Sequence, residues 1–273
     1  MRRRLDAELV RRGLARSRDH AAELIAAGRV HRAGGPAGKP ATQVDPADAL
    51  TVADEPGEDW VGRGARKLHG ALDAFAAAGA MPLVEGRRCL DAGASTGGFT
   101  QVLLRRGAGH VVALDVGYGQ LAWRLRTDPR VTVLERTNVR DVTVDLVGGP
   151  VGVVVADLSF ISLRLVLPAL TRVATPDADL VLLVKPQFEA GREAVGRGGV
   201  VTDPEVRLAA VLGVVEVAGD LGLALHGVTA SPLPGPAGNV EYVVWLRRGA
   251  PGPEWRASVA TAVRGTTATG EAP

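Results

Sequence analysis

The 273 residues carry 32 Lys and Arg against 30 Asp and Glu, a formal net charge of +2, with 46% hydrophobic residues and one cysteine. That is enough apolar material for one large or two modest packed domains, which excludes a disordered chain, while a lone cysteine excludes an internal disulfide. The longest apolar runs, such as VGVVVA and LVLLV, are far too short to span a bilayer, and the basic start MRRRLDAELVRRG lacks the apolar stretch of a signal peptide, so the cytoplasm is the expected location.

Charge is uneven along the chain. Residues 1–53 hold 10 Lys and Arg against 6 Asp and Glu, and the other 220 hold 22 against 24, so the basicity belongs to the amino-terminal segment. There, RLDAELVRRGLA sets Leu5, Leu9 and Val10 at helical spacing and stops at Gly13. SRDHAAELIAAGRV opens on Ser17 as an N-cap, carries Ala21, Leu24 and Ile25 on one face and stops at Gly28. The following stretch to TV at 51–52 reads as a small β unit broken by Pro and Gly. A small basic module ahead of a near-neutral domain is one form of a nucleic-acid docking unit; a solvated basic face is the plainer reading.

Acidic, Pro/Gly-rich residues 54–62 read as a linker, and a helix from about Gly64 turns Leu68, Leu72 and Phe75 inward. Apolar runs then follow at 87–92, 110–116, 131–136, 151–157 and 180–185, separated by helical patterns such as GFTQVLLRRGA, QLAWRLRTD and LRLVLPALTRVA. This alternation predicts a doubly wound parallel sheet, with Cys89 a small apolar residue on a buried strand. After the long helix DPEVRLAAVLGVVEVAGDLG, the runs LALHGVTASP and VEYVVWLRR are joined by a loop too short for a parallel crossover. They are expected to pair antiparallel, which argues against a nicotinamide dehydrogenase. Residues 249–273 are expected to form a short helix and then a disordered tail.

Two features carry chemistry. In CLDAGASTGGFT a strand runs through a Gly-rich turn into a helix, the arrangement that gathers unpaired backbone N–H groups beside a polar ligand. Asp115, 22 residues after Gly93, closes the next strand where a ribose-holding acid is expected. The second feature is lysine usage: of 32 basic residues only Lys39, Lys67 and Lys185 are lysines. An amine, unlike a guanidinium, can lose its proton and act as a base. Lys185 ends the strand DLVLLVK and Asp157 ends VGVVVAD, so the two are expected to be adjacent, either as a structural salt bridge or as a catalytic pair. The histidines show no metal-ligand spacing, and no metal is expected.

The amino-terminal segment LDAELVRRGLARSRDHAAELIAAGRV with GKPATQV resembles the RNA-binding module named after small-subunit ribosomal protein four, although HRAGGPAGK replaces its usual Asn-Gly turn. That resemblance implies phosphate contacts by Arg4, Arg16, Arg18 and Lys39. The set GRGARKL, DAGASTGGFT, LDVGYGQL, RTNVRD, ADLSFISL, LVKPQFE and SPLPGPAGNVEYVVWL, covering the chain to about residue 248, resembles the TlyA family of ribosomal RNA 2'-O-methyltransferases, whose catalytic domain is similar to the FtsJ (RrmJ) enzymes. The implied architecture is α/β: a Rossmann-like, class I S-adenosylmethionine-dependent methyltransferase over 63–248 behind a small α+β RNA-binding domain over 1–53.

The resemblance further implies S-adenosylmethionine as donor, held by Gly93, Ala94, Ser95, Thr96, Gly97, Gly98 and Phe99, with Asp115 on the ribose and Asn138 and Val139 near the adenine. It places a catalytic tetrad on Lys67, Asp157, Lys185 and Glu241, with ribosomal RNA as partner and cytidine as the methylated nucleotide. Lys185 is the candidate base. A nearby cation, Lys67, favours loss of its proton; Asp157 and Glu241 oppose that and serve better to orient the amines. A non-catalytic RNA-binding assembly factor is the alternative. The membrane-lytic activity sometimes attached to the family has no support in hydropathy, and ADLSF lacks the Asn-Pro-Pro-aromatic turn of amino-group methyltransferases.

Overall fold

The computed structural model describes residues 3–265 apart from 13, 16, 33–34, 46–47, 49, 53–58 and 197. The chain divides into two compact units between Asp59 and Trp60.

In the first unit, β1 (Arg3–Arg4) leads into α1 (Leu5–Arg11) and α2 (Arg18–Ala26), followed by β2 (Val30–Arg32), β3 (Gly35–Pro36), β4 (Gln43–Val44) and β5 (Leu50–Val52). β1 pairs with β4, and β3, β2 and β5 form a three-stranded antiparallel sheet. Ser17 starts α2 as its spacing predicts, its hydroxyl accepting from the His20 N–H at 3.1 Å, and Gly28 closes the helix with a left-handed φ of 68°. Leu5, Leu9, Leu24 and Ile25 meet Val30, Val44 and Leu50 in one small core. Gly13, the expected stop of the first helix, lies outside the described residues.

Two acids on α1 are held by arginines. The guanidinium of Arg11 and then that of Arg12 lower Glu8 to about 2, through bonds of 2.8 and 2.7 Å from their Nε atoms. Arg4, then Arg18, bring Asp6 well below the usual carboxylate range against the opposing effect of burial. Because Glu8 titrates lower when folded than its ordinary value of about 4.3, its contribution is complete above about pH 5 and is lost as pH falls through about 2. The protection of the α1 amides in the full chain, their exchange taken relative to the unstructured rate at each pH, is therefore expected to fall between pH 5 and 2.5. Glu8→Gln is expected to be less protected already at pH 7, with a much weaker pH dependence across that window.

The second unit opens with α3 (Arg63–Ala77) and then alternates: β6 (Arg88–Ala92), α4 (Gly98–Arg105), β7 (His110–Leu114), α5 (Trp123–Arg126), β8 (Val131–Leu134), β9 (Val151–Ala156), α6 (Leu163–Val173), β10 (Ala174–Val184), α7 (Pro186–Glu189), α8 (Pro204–Asp220), β11 (Leu223–Ala230), β12 (Tyr242–Arg248) and α9 (Trp255–Arg264). These strands make one seven-stranded sheet in the order β11-β12-β10-β9-β6-β7-β8. β6 to β10 run parallel, while β12 lies antiparallel between β10 and β11, the hairpin finish that the short loop predicts. Successive strand residues face opposite sides: Leu90, Val112, Val154 and Leu182 join α6 and α8, whereas Cys89, Val111, Val153 and Leu183 join α3 and α4. Burial on both sides is why these strands read as unbroken apolar runs.

Two expectations shift. The helical pattern QLAWRLRTD folds as the single turn α5, because Pro129 disfavours helical backbone at Asp128. Trp60, within the linker read from sequence, is buried in the second unit's core, with the Arg105 guanidinium 4.1 Å above its ring and the His69 ring 5.3 Å away. Residues 266–273 of the expected disordered tail, and 54–58 of the expected linker, lie outside the described residues; α9 buries Val259 and Val263.

Candidate active site

Between β6 and β9 the strand order reverses, and at such a switch point the carboxyl ends of parallel strands leave a crevice. A cavity of about 470 Å³ opens there, lined by Gly93 and Ser95 after β6, Asp115 and Val116 after β7, Thr137 to Val139 after β8, and Asp157 to Ile161 after β9. Its volume lies within the range of ligand sites, roughly 300–1,000 Å³. Both oxygens of Asp115 are fixed by backbone N–H groups, Ser95 at 2.8 Å and Gly117 at 2.6 Å, so its carboxylate is oriented without a competing cation. Asn138 caps a short turn, accepting from Arg140 N at 3.0 Å, a bond that leaves its amide N–H groups unused.

The rim is conformationally strained. Among the described residues only Ser95 (φ 48°), Arg136 (φ 55°) and Phe160 (φ 63°) adopt a left-handed backbone without being glycine. Two of them line the cavity and the third precedes Thr137, which does. Such outliers persist only where their surroundings hold them, and they concentrate at ligand sites. Phe160 is 91% exposed, with its ring 5.2 Å from that of Phe188.

Of the residues expected to hold a donor, Gly93, Ser95, Asp115, Asn138 and Val139 line this cavity. Ala94, Thr96, Gly97, Gly98 and Phe99 do not line it; they belong to the turn and the packing behind it. A Cβ on Gly97, at φ 96°, would lie 2.3 Å from Leu125 Cδ1. One on Gly98 would lie 2.6 Å from Ala65 N. Helix α3 thus rests directly on the Gly-rich turn, and the same closeness recurs where a Cβ on Gly62 would meet Thr96 Oγ1 at 2.5 Å and one on Gly64 would meet Asp157 Oδ2 at 3.5 Å.

The four tetrad residues form two ion pairs. Lys185 Nζ lies 2.7 Å from Asp157 Oδ1, as neighbouring parallel strand ends allow. Lys67 Nζ on α3 donates to Glu241 Oε2 at 2.5 Å, with both groups buried. Val184 pairs with Tyr242, so Lys185 and Glu241, each one residue farther, reach the same end of the sheet. Glu241 Oε1 is buried with no hydrogen-bond partner among the described residues, and a Cβ on Gly235 would approach it to 2.6 Å.

Sequence reasoning missed several contributors. Gln120, Thr137, Leu158, Ser159 and Ile161 also line the cavity. Ser159 Oγ accepts from Lys185 Nζ at 2.9 Å. Glu189, 6% exposed at the end of α7, takes bonds from Ser162 Oγ at 2.5 Å and Leu163 N at 2.7 Å, tying the loop after β9 to the segment after β10. The motifs ADLSFISL and LVKPQFE contain these residues, but nothing in either marks which hydroxyl or carboxylate turns toward the other.

Asp91, beneath the Gly-rich turn, is fully buried. Its Oδ2 accepts from Thr100 Oγ1 at 2.6 Å, while Oδ1 has no partner among the described residues. Loss of solvent pushes it up to about 7, only partly offset by Thr100, and the charges of Asp157 and Asp115 add to the rise. A carboxyl raised in this way binds its proton more tightly folded than unfolded, so its ionisation weakens the fold as pH climbs from about 4 to about 7 and adds nothing further above. Asp91→Asn lacks that ionisation. Its melting temperature relative to the wild type is expected to rise from pH 4 to 7 and then level off, as followed by calorimetry; a constant gap would contradict the assignment.

Comparison with known proteins identifies the class to which this sheet and crevice belong. Residues 60–248 match the FtsJ-like methyltransferases and residues 3–50 match the S4 domain, so the sheet and its crevice are those of a methyltransferase. Within that class the chain belongs to the TlyA family. It is 65% identical over 246 residues to the 16S/23S rRNA (cytidine-2'-O)-methyltransferase TlyA of Mycobacterium tuberculosis (strain ATCC 25618 / H37Rv), with 90% of each chain covered. It is 36% identical to Hemolysin A of Brachyspira hyodysenteriae, covering 88% of this chain and 98% of that one. A solved structure from Streptococcus thermophilus that also carries the hemolysin name superposes with a TM-score of 0.82 at 36% identity, covering 97% and 95% of the two chains. No described helix is long and apolar enough to cross a membrane, and among the described residues no three His, Cys, Asp or Glu side chains are grouped to hold a metal ion.

Proposed function

We propose that the chain transfers a methyl group from S-adenosylmethionine to the ribose 2'-hydroxyl of a cytidine in ribosomal RNA. The observation that carries this reading is the pairing of Lys185 with Asp157 at the lip of the switch-point cavity, because a ribose hydroxyl has a proton to lose and Lys185 offers the amine to take it. The acceptor and the nucleotide come from the TlyA relative, whose name specifies cytidine 2'-O-methylation of 16S and 23S rRNA.

The residues present suit the donor. The polar side chains of Asp115, Asn138 and Asp157, together with Ser95, Gln120, Thr137 and Ser159, are spread along a cavity also walled by Leu114, Val116, Val139, Leu158 and Ile161, which fits a ligand with a sugar, an aromatic base and a positive charge. Asp115 would hold the ribose, Asn138 and Val139 the base, and Gly93 and Ser95 the amino-acid end, with Ala94, Thr96, Gly97, Gly98 and Phe99 supporting the turn from behind. When bound, S-adenosylmethionine supplies a methyl group already activated by a positively charged sulfur. The chain's task is then to align the 2'-oxygen and remove its proton. Lys185 takes the proton, Asp157 orients the amine, and the Lys67–Glu241 pair holds α3 and β12 around them.

RNA enters this reading through two features. Arg4 and Arg18, both paired with Asp6, and exposed Lys39 lie on the first unit and would meet phosphates; Arg16 lies outside the described residues. In the second unit exposed Phe160, backed by Phe188, offers a face on which an unpaired base can stack. Action on ribosomal subunits would place the protein in the cytoplasm. Incubating purified subunits with labelled S-adenosylmethionine and mapping the ribose methyl tests the reading. Lys185→Arg, which keeps the charge and loses the base, is expected to lower transfer on the order of 100-fold or more while still binding S-adenosylhomocysteine; an active Arg variant would reject Lys185 as the base.

A further inference from the structure

Lys185 Nζ has two oxygens fixed around it, Asp157 Oδ1 at 2.7 Å and Ser159 Oγ at 2.9 Å. A neutral amine has two N–H bonds and one lone pair in a tetrahedral arrangement. Of the two, Ser159 Oγ accepts a hydrogen bond, while Asp157 Oδ1 is an ion-pair contact without hydrogen-bond alignment. The hydrogen bond to Ser159 therefore fixes the direction of one N–H beside the carboxylate, and because Asp157 and Ser159 both line the cavity, the direction left to the lone pair is set with respect to it.

Ser159 is itself braced. It stands two residues beyond Asp157, and three residues farther on Ser162 Oγ donates to Glu189 Oε2 at 2.5 Å while Leu163 N donates to Glu189 Oε1 at 2.7 Å. Arg164 adds a bond to the Glu189 carbonyl at 2.6 Å. Glu189 lies four residues after Lys185, so the loop that carries the hydroxyl and the segment that carries the amine are closed into a ring by one buried carboxylate.

We propose that Ser159 is a positioning residue for Lys185: its hydroxyl, held by the Glu189 brace, takes one N–H of the amine so that, with the Asp157 carboxylate beside it as counter-ion, the lone pair faces the acceptor 2'-hydroxyl. The inference rests on the methyl-transfer reading above. In the step itself the proton leaves the 2'-oxygen for the lone pair on Nζ, and Ser159 neither gains nor loses one. The charged group against the amine is Asp157 from the end of β9; Lys67 on α3 and Glu241, just before β12, are paired with each other, and Glu189 on α7 is turned to Ser162, Leu163 and Arg164.

The test is the pH–rate profile of methyl transfer to purified ribosomal subunits by the wild type, Ser159→Ala and Ser159→Thr, with S-adenosylhomocysteine affinity measured alongside. An ammonium donates a stronger hydrogen bond to a hydroxyl than a neutral amine does. Removing the hydroxyl therefore moves the midpoint of the acidic limb to lower pH, while misdirection of the lone pair lowers the plateau by roughly 10- to 100-fold. Ser159→Thr is expected to restore both, and S-adenosylhomocysteine affinity is expected to stay within about threefold of the wild type. A plateau in Ser159→Ala within twofold of the wild type would overturn the proposal, as would a lowered plateau with an unmoved midpoint, the mark of a merely structural role. A wild-type protein that methylates neither subunit would overturn the methyl-transfer reading itself, and Ser159's role with it.

Discussion

Helix α3 lies against the turn between β6 and α4 because Gly98 brings no side chain to the contact, where a Cβ would stand 2.6 Å from the backbone nitrogen of Ala65. No rotamer change relieves a clash with backbone, so this closeness is a covalent constraint rather than an energetic preference. It decides where Lys67 sits, since that residue follows Gly64 by less than one helical turn. The Lys67–Glu241 pair in turn ties α3 to β12. Without that contact the lysine would have to reach its partner from another height on the helix.

Pairing explains how four ionisable side chains coexist in so little solvent. Taking a lone ammonium or carboxylate out of water costs several kcal/mol, on the order of that needed to unfold a marginal protein. Here each amine has an acid within 2.7 Å. The carboxylate oxygens without a hydrogen-bond partner among the described residues lie where fold and site meet: Asp91 Oδ1 beneath the Gly-rich turn, Asp157 Oδ1 in its ion pair with Lys185, and Glu241 Oε1 against Gly235. Stability has been given up there in favour of shape.

Much of this was legible in the sequence, and for physical reasons. Doubly buried strands write themselves as apolar runs, so the five parallel strands stood out, and the short loop before VEYVVWL could join its neighbours only by reversal. The scarcity of lysine made Lys67 and Lys185 conspicuous, and resemblance supplied Glu241, which no local pattern marks. Other parts were hidden because they depend on contacts between distant segments. Ser159 meets Lys185 across 26 positions, Glu189 meets Ser162 across 27, and Gln101 accepts from Val61 N across 40. Trp60 read as linker because its neighbours Asp59 and Gly62 are polar or flexible, although its indole is a core side chain. The single turn of α5 was obscured by an amphipathic pattern that continues up to Pro129.

The reversed direction of β12 has a consequence for how such a site is assembled. In a wholly parallel sheet every strand offers only its final residues to the crevice, and whatever precedes a strand emerges on the opposite side of the molecule. Turning one strand around brings a beginning, with its own preceding loop, to the working edge. Glu241 therefore reaches Lys67 from a direction that no βα connection supplies.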